Sequence, residues 1–65
     1  MASNWRLKRR FKPSDEELKA MMANSQHVTF GKGKPEYMED RVRGVIWRLA
    51  DANSGEYEEY VRGEA

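Results

Sequence analysis

A row of cations near the start of the chain has the spacing best suited to binding a ligand. The segment NWRLKRRFK at residues 4–12 alternates Arg6, Lys8, Arg10 and Lys12 with the apolar residues Trp5, Leu7 and Phe11. This period of two predicts a half-buried strand with one basic face, on which Arg9 is the single misfit. Cations at strand spacing can contact the phosphates of a nucleic acid, or enter a major groove as part of a two-stranded ribbon. On a solvated edge strand the same charges would only prevent aggregation, and both interpretations stay open.

Two further cations, Lys32 and Lys34, lie in the segment GKGKP at residues 31–35. Glycines allow positive φ and a close approach of backbone N–H groups to an anion, so we predict auxiliary phosphate contacts here. The segment lacks the G-x-x-x-x-G-K-[ST] spacing of a Walker A loop. A flexible turn before the next element is the alternative.

A third candidate surface belongs to a helix predicted over residues 36–53. Apolar residues recur there at helical spacing: Met38, Val42, Val45, Ile46 and Leu49. They predict the helix on which the rest of the chain packs. Trp47 lies almost opposite this stripe, and Arg43, four residues earlier, is placed to stack on its indole. Arg43, Gly44 and Trp47 therefore form a candidate protein-binding face, with burial on both sides of the helix as the alternative.

Catalysis and cofactor binding have no support in the sequence. His27 is the only histidine and there is no cysteine, so no zinc site or disulfide framework is indicated. No nucleophile, base and orienting group can be assembled from the remaining residues. We therefore expect a protein that is not an enzyme, with no catalytic residues, metal or cofactor.

Charge is distributed unevenly along the 65 residues, although the net charge is only +1. Residues 1–34 contain eight lysines and arginines and three acids, a net charge of +5, whereas residues 35–65 contain four arginines and eight acids, a net charge of −4. Either the basic half faces a polyanion or the two halves attract each other. No secretory signal or membrane-spanning run is visible, and the lack of cysteine suits a reducing compartment, so we expect a cytoplasmic protein without a membrane partner.

The elements together predict an α+β fold in a single small domain spanning residues 1–65, with flexible ends at 1–3 and 62–65. Two short strands are expected at 4–11 and 27–30, and two main helices at 14–24 and 36–53, the first starting with the capping box of Ser14 and Glu17. If the strands pair side by side, the first helix is their crossover. Residues 56–65 would form a short acidic helix or a frayed extension. An all-α helical bundle is the alternative fold.

The basic strand, the helix start PSDEEL at residues 13–18 and the later amphipathic helix resemble the ribbon-helix-helix class of DNA-binding regulators. In that family two chains pair their strands, and the outward strand residues read the major groove. The resemblance implies this role for Arg6, Lys8 and Arg10. The segment from Asn24 to Pro35 departs from the family, whose members join their helices through a short turn, so we do not assign the chain to it.

We expect a small non-enzymatic intracellular regulator, such as a transcription regulator, that binds the nucleic-acid phosphate backbone. The cations assigned to this role are Arg6, Lys8, Arg10, Lys12, Lys32 and Lys34. The alternative is a protein-binding inhibitor or adaptor, in the manner of a phage (viral) or plasmid accessory protein. It would bind a host protein through the face of Arg43, Gly44 and Trp47 or through the acidic half. A homodimer is favoured, because a chain this short has a thin core.

Overall fold

The computed structural model describes residues 4–63, which form one antiparallel five-stranded sheet and one helix. In chain order the elements are β1 (Trp5–Phe11), α1 (Asp15–Asn24), β2 (His27–Gly31), β3 (Lys34–Asp40), β4 (Val45–Asp51) and β5 (Glu56–Arg62). The strand order across the sheet is β1-β5-β4-β3-β2. The protein is therefore a small β-rich domain. The predicted α+β fold with two main helices is wrong, and so is the all-α alternative.

The first three predicted elements are confirmed. Strand β1 covers the predicted segment except for Asn4, and β2 extends the predicted strand by Gly31. Helix α1 begins after Ser14, whose hydroxyl accepts a hydrogen bond from the Glu17 N–H at 3.1 Å, while the Glu17 carboxylate accepts one from the Ser14 N–H at 2.8 Å. This reciprocal pair satisfies N–H groups that the helix itself cannot pair, which explains why the helix begins there.

The helix predicted over residues 36–53 is wrong, because those residues form β3, a turn and β4. The buried Asp40 carboxylate accepts hydrogen bonds from the N–H groups of Val42 and Arg43 at 3.0 and 3.1 Å. Gly44 closes the turn at φ +72°, which glycine adopts with little strain. Val42, predicted to face the core, is 85% exposed in this turn.

Residues 56–62 form neither a helix nor a frayed extension. They are β5, which pairs with β1 on one side and β4 on the other. Arg62 is the last residue of this strand, so it does not belong to a flexible end. The remaining predicted flexible residues, 1–3 and 64–65, lie outside the described range, whereas Gly63 donates a backbone hydrogen bond to the Asn4 carbonyl.

Strands β1 and β2 lie at opposite edges of the sheet, so the predicted side-by-side pair is wrong. Helix α1 connects them across one face. The arrangement also departs from the ribbon-helix-helix resemblance, since β1 pairs with β5 of the same chain and strands replace the second helix.

The core lies between α1 and the sheet. Its buried members are Met21, Met38, Trp47 and Tyr57, and Phe11, Leu18, Met22, Val28, Val45 and Leu49 pack around them. Met38 is fully buried, and the Tyr57 hydroxyl donates a 2.7 Å hydrogen bond to the Pro35 carbonyl. Because side chains alternate along a strand, this leaves the other face of the sheet uncovered by any element of residues 4–63.

Candidate nucleic-acid interface

A β-bulge divides the predicted row of cations on β1. Leu7 pairs with Tyr60 and Arg9 pairs with Glu59, so Lys8 is an extra residue that reverses the alternation. Arg10 consequently shares the uncovered face with Leu7, whereas Arg9 lies on the α1 side. The register places Arg6 opposite Val61, on the α1 side as well. The prediction of a single basic face that contains Arg6, Lys8, Arg10 and Lys12 is therefore wrong.

Two of the β1 cations form ion pairs with the acidic strand beside them. The Arg9 guanidinium binds the nearly buried Glu59 carboxylate and lies over the Phe11 ring, 4.0 Å from its centroid. Arg10 Nη2 is 2.8 Å from Glu56 Oε1. The attraction between the basic and acidic halves is thus present at the β1–β5 pair. Within residues 4–63, neither Arg6 nor Lys8 has an ion-pair partner.

We call the uncovered side of the sheet the open face. Cross-strand pairing brings Leu7, Tyr60 and Ile46 into one row, and Arg10, Glu58, Arg48 and Tyr37 into the next. Five of its side chains surround a shallow, almost wholly apolar cavity of about 210 Å³: Trp5, Tyr37, Ile46, Arg48 and Tyr60. Leu7, beside them, is 51% exposed. Three aromatic rings and one guanidinium are therefore presented on one surface without a covering element.

The aromatic rings of the open face have polar neighbours that hold them. The Arg62 guanidinium lies 5.4 Å from the Trp5 ring, and His27 contacts Tyr37 edge-on with ring centroids 6.0 Å apart. The Tyr60 hydroxyl donates a 2.9 Å hydrogen bond to Glu58, and this bond raises the pKa of Tyr60. Desolvation by burial raises the pKa of Tyr37. Both hydroxyls consequently stay protonated at neutral pH and add no negative charge to the face.

The charges of the open face are nearly balanced in number but not in position. By the strand register, Arg10, Arg48 and Arg62 share it with four acids, which are Glu39, Asp51, Glu56 and Glu58. Segment 4–14, which includes β1, adds the remaining cations and contains no acid. Because Glu59 and Glu56 hold Arg9 and Arg10, the positive charge of β1 that is unpaired within residues 4–63 comes from Arg6 and Lys8.

The predicted lysines lie elsewhere. Lys12 and Lys34 line a separate cavity at the end of the sheet where β1 leads into α1, while Lys32 occupies the β2–β3 turn at φ +54°. The structure thus brings Lys12 and Lys34 together but does not place them beside Lys8 or Arg10. Ser54, which the sequence did not single out, lines the same cavity.

The predicted protein-binding face does not exist as a helix surface. Gly44 lies in the β3–β4 turn, Arg43 Nε is 3.8 Å from Asp40 Oδ2, and Trp47 is only 7% exposed in the core. Arg43 and Trp47 do line one cavity of about 220 Å³ between β1 and α1, together with Arg9 and Phe11. Trp47 lies at the bottom of this cavity and does not project from the surface.

Sequence reasoning missed Tyr37, Ile46, Arg48 and Tyr60 as surface residues, because Tyr37, Ile46 and Arg48 fell inside the predicted helix and Tyr60 in the predicted tail. The alternation of Val45, Trp47 and Leu49 with Ile46 and Arg48 was the available signal for a two-faced strand.

Comparison with known proteins found no matching family model, and no significant match to a curated protein or a solved structure. Of the elements in residues 4–63, none is a helix long and apolar enough to cross a membrane. The same residues contain no cluster of three or more potential metal ligands.

Proposed function

We propose that the protein is a non-enzymatic nucleic-acid-binding regulator that holds a single strand across its open face. The observation that carries the proposal is the group of three aromatic rings around Arg48, which no element of residues 4–63 covers and which the basic strand β1 borders. Unpaired bases stack on exposed aromatic rings of a sheet, and adjacent cations contact the backbone between them.

Base stacking and phosphate contacts both contribute to the affinity in this arrangement. Each base stacked on an aromatic ring contributes about 1–3 kcal/mol, largely independent of its identity. Trp5, Tyr37 and Tyr60 are the stacking groups. We assign the phosphate contacts to Arg48 on the open face and to Lys8 at the β1 bulge beside that face, since neither forms an ion pair within residues 4–63. Arg10 is a weaker contact, since Glu56 already holds its guanidinium.

The width of the sheet argues against reading of duplex DNA by β1. A major groove about 12 Å wide admits a two-stranded ribbon. Strands about 4.8 Å apart give a five-stranded sheet a width of roughly 19 Å, and the two shorter axes of the molecule measure 20 and 19 Å. Strand β1 is part of this wide sheet, so it cannot enter the groove as half of an isolated two-stranded ribbon. Single-stranded nucleic acid is therefore the better ligand.

A protein-binding adaptor remains the second candidate, now on the open face. Leu7 and Ile46 are apolar neighbours there, and exposed apolar patches commonly bind proteins. A second copy of the chain is the simplest such partner. We also propose a cytoplasmic location, on the ground that the sequence contains no cysteine.

Fluorescence anisotropy with labelled random-sequence oligonucleotides tests the proposal. The single strand should bind more tightly than the duplex, and log affinity should fall with log salt at a slope of about −0.7 per contacted phosphate. Lys8→Gln should weaken binding and reduce that slope by about one contact. Lys19→Gln, which removes the same charge from the exposed side of α1, is the matched control and should change neither quantity.

Tyr60→Leu tests the stacking separately from the charge. It keeps an apolar side chain beside Ile46 but removes the ring, so affinity should fall by about 1 kcal/mol or more with the salt slope unchanged. Absence of binding at low salt would refute the proposal, as would equal effects of Lys8→Gln and Lys19→Gln. A dimer in sedimentation that is lost in Tyr60→Leu, without nucleic-acid binding, would favour the second candidate.

A further inference from the structure

The cavity at the end of the sheet, which we call the end cavity, has the features of an anion site. It has a volume of about 460 Å³ and lies between the start of α1, the β2–β3 turn and the β4–β5 turn. Its polar lining includes Lys12, Lys34 and Ser54, and its single acid among the described residues is Asp15. The volume is far larger than the roughly 30 Å³ of a water molecule.

The two lysine side chains converge on the β4–β5 turn. A β-carbon built on Gly55 would lie 3.8 Å from Lys34 Nζ and 4.0 Å from Lys12 Cε. Lys34 Nζ donates a 3.1 Å hydrogen bond to the Ala52 carbonyl, which uses one of its three donors. This bond fixes the ammonium group at the cavity wall and leaves two donors for a ligand. Lys12 forms no ion pair with any residue between 4 and 63.

Ser54 is the second, independent observation. Its Oγ is buried and has no hydrogen-bond partner among the described residues. A buried hydroxyl without a partner is unfavourable by about 1–3 kcal/mol, so Ser54 Oγ calls for a partner that residues 4–63 do not supply. Rotation of this side chain toward the cavity would let its hydroxyl donate a hydrogen bond to a ligand oxygen that lies between Ser54 and the lysines. Gly33 and Gly55 add no side chains that would block the approach.

We propose that the end cavity binds a phosphate group, held by the ammonium groups of Lys12 and Lys34 and by the Ser54 hydroxyl. Two cations and a hydroxyl match an oxyanion, whereas a cation would meet only Asp15. The phosphate is either free or the terminal phosphate of a nucleic acid. The second source rests on the proposed function, and it would give the protein a preference for phosphorylated ends.

Titration with inorganic phosphate, followed by amide NMR and calorimetry, tests the site without any nucleic acid. Phosphate should shift the amide signals of Ser54 and Gly55. Lys12→Gln and Ser54→Ala should weaken binding, Lys12→Gln by about tenfold. Lys12 makes no internal ion pair within the described chain, so this variant should fold normally. Lys19→Gln, on the exposed surface of α1, should bind phosphate like the unmodified protein.

The site proposal is overturned if phosphate shifts no signals near Ser54, or if Lys12→Gln and Lys19→Gln weaken binding equally. A second titration compares an oligonucleotide carrying a 5′-phosphate with the same oligonucleotide ending in a hydroxyl. Tighter binding of the phosphorylated strand that is lost in Lys12→Gln supports the nucleic-acid source. Equal binding of both strands overturns that source, and it leaves the proposed function and the phosphate site to be judged by their own titrations.

Discussion

Replacing Asp40 by alanine should destabilise the domain more than the same replacement of Asp51 in the β4–β5 turn. Asp40 is 2% exposed, and its Oδ1 accepts the N–H groups of Val42 and Arg43 at 3.0 and 3.1 Å. Its backbone carbonyl also accepts the Gly44 N–H at 2.9 Å, a bond that the substitution retains. Alanine therefore removes two bonds to a charged acceptor and leaves the backbone bond of the turn in place.

The size of the loss in stability depends on whether the two N–H donors find another acceptor. A hydrogen bond to a charged group contributes about 1.5–3 kcal/mol, but the N–H groups of Val42 and Arg43 belong to exposed residues and would regain water. We therefore expect a loss of about 2–3 kcal/mol in the free energy of unfolding. A chain of this length has a total stability of about 3–10 kcal/mol, so the loss is a large fraction of it. Asp40→Asn retains one acceptor oxygen and should lose about 1 kcal/mol.

Urea denaturation followed by tryptophan fluorescence, to which the buried Trp47 contributes, measures these changes. The matched control is Asp51→Ala in the β4–β5 turn, where Oδ1 accepts only the exposed Asn53 N–H at 2.9 Å and the Gly55 N–H bonds to the Asp51 carbonyl in the same way. We expect that variant to lose about 0.5–1 kcal/mol. Equal losses of unfolding free energy in Asp40→Ala and Asp51→Ala would refute the reasoning. The burial of the Asp40 carboxylate and its second hydrogen bond would then add nothing to stability.

Two further predictions concern the helix start and the alkaline limit of stability. Ser14→Ala removes the capping hydroxyl and should lower the free energy of unfolding by about 1 kcal/mol. Ser25→Ala, at the other end of α1, serves as a comparison. An unchanged urea midpoint in Ser14→Ala would contradict the role of the capping box. Burial raises the pKa of Tyr57, so the folded protein keeps that proton to a higher pH than the unfolded chain does. The free energy of unfolding should therefore fall as the pH rises above about 10, and Tyr57→Phe should make this fall shallower. Spectrophotometric titration of tyrosinate should show one late-ionising tyrosine fewer in the variant, and an identical titration curve would oppose the assignment.

Local signals in the first half of the chain were sufficient to predict its elements. The alternation of β1 and the capping box of α1 both act within a few residues, so they can be recognised before the partners of either element are known. The second half was ambiguous, because Met38, Val45 and Leu49 fit a helical stripe as well as two strands. Pairing with β5 decides between the two, and β5 itself was not recognised as a strand.

A turn signal was present in the second half, however. Asp-x-x-x-Gly occurs at 40–44 and again at 51–55, and both glycines adopt positive φ while their N–H groups bond to the aspartate carbonyls. Four-residue loops of this kind join antiparallel strands. Two such segments in succession would have indicated a β-meander in place of a long helix.

The candidate sites were less predictable than the elements. The sequence lists the cations, but which of them lie together depends on the bulge at Lys8 and on the strand order. Lys12 and Lys34 are distant in sequence and meet only because β3 begins on the side of the molecule where β1 ends. The open face could not be derived without knowing that α1 covers just one side of the sheet.

The pairing of the first strand with the last has a consequence for synthesis on the ribosome. Trp5 pairs with Arg62 and Phe11 with Tyr57, so β1 gains its sheet partner only after β5 has left the exit tunnel. Strands β2, β3 and β4 pair with their neighbours in sequence, so they can form two successive hairpins earlier. Until β5 has emerged, Arg9 and Arg10 lack Glu59 and Glu56, the β5 acids with which they form ion pairs. The cations of β1 would keep that segment soluble, and closure of the sheet is expected to be the last and slowest step of folding.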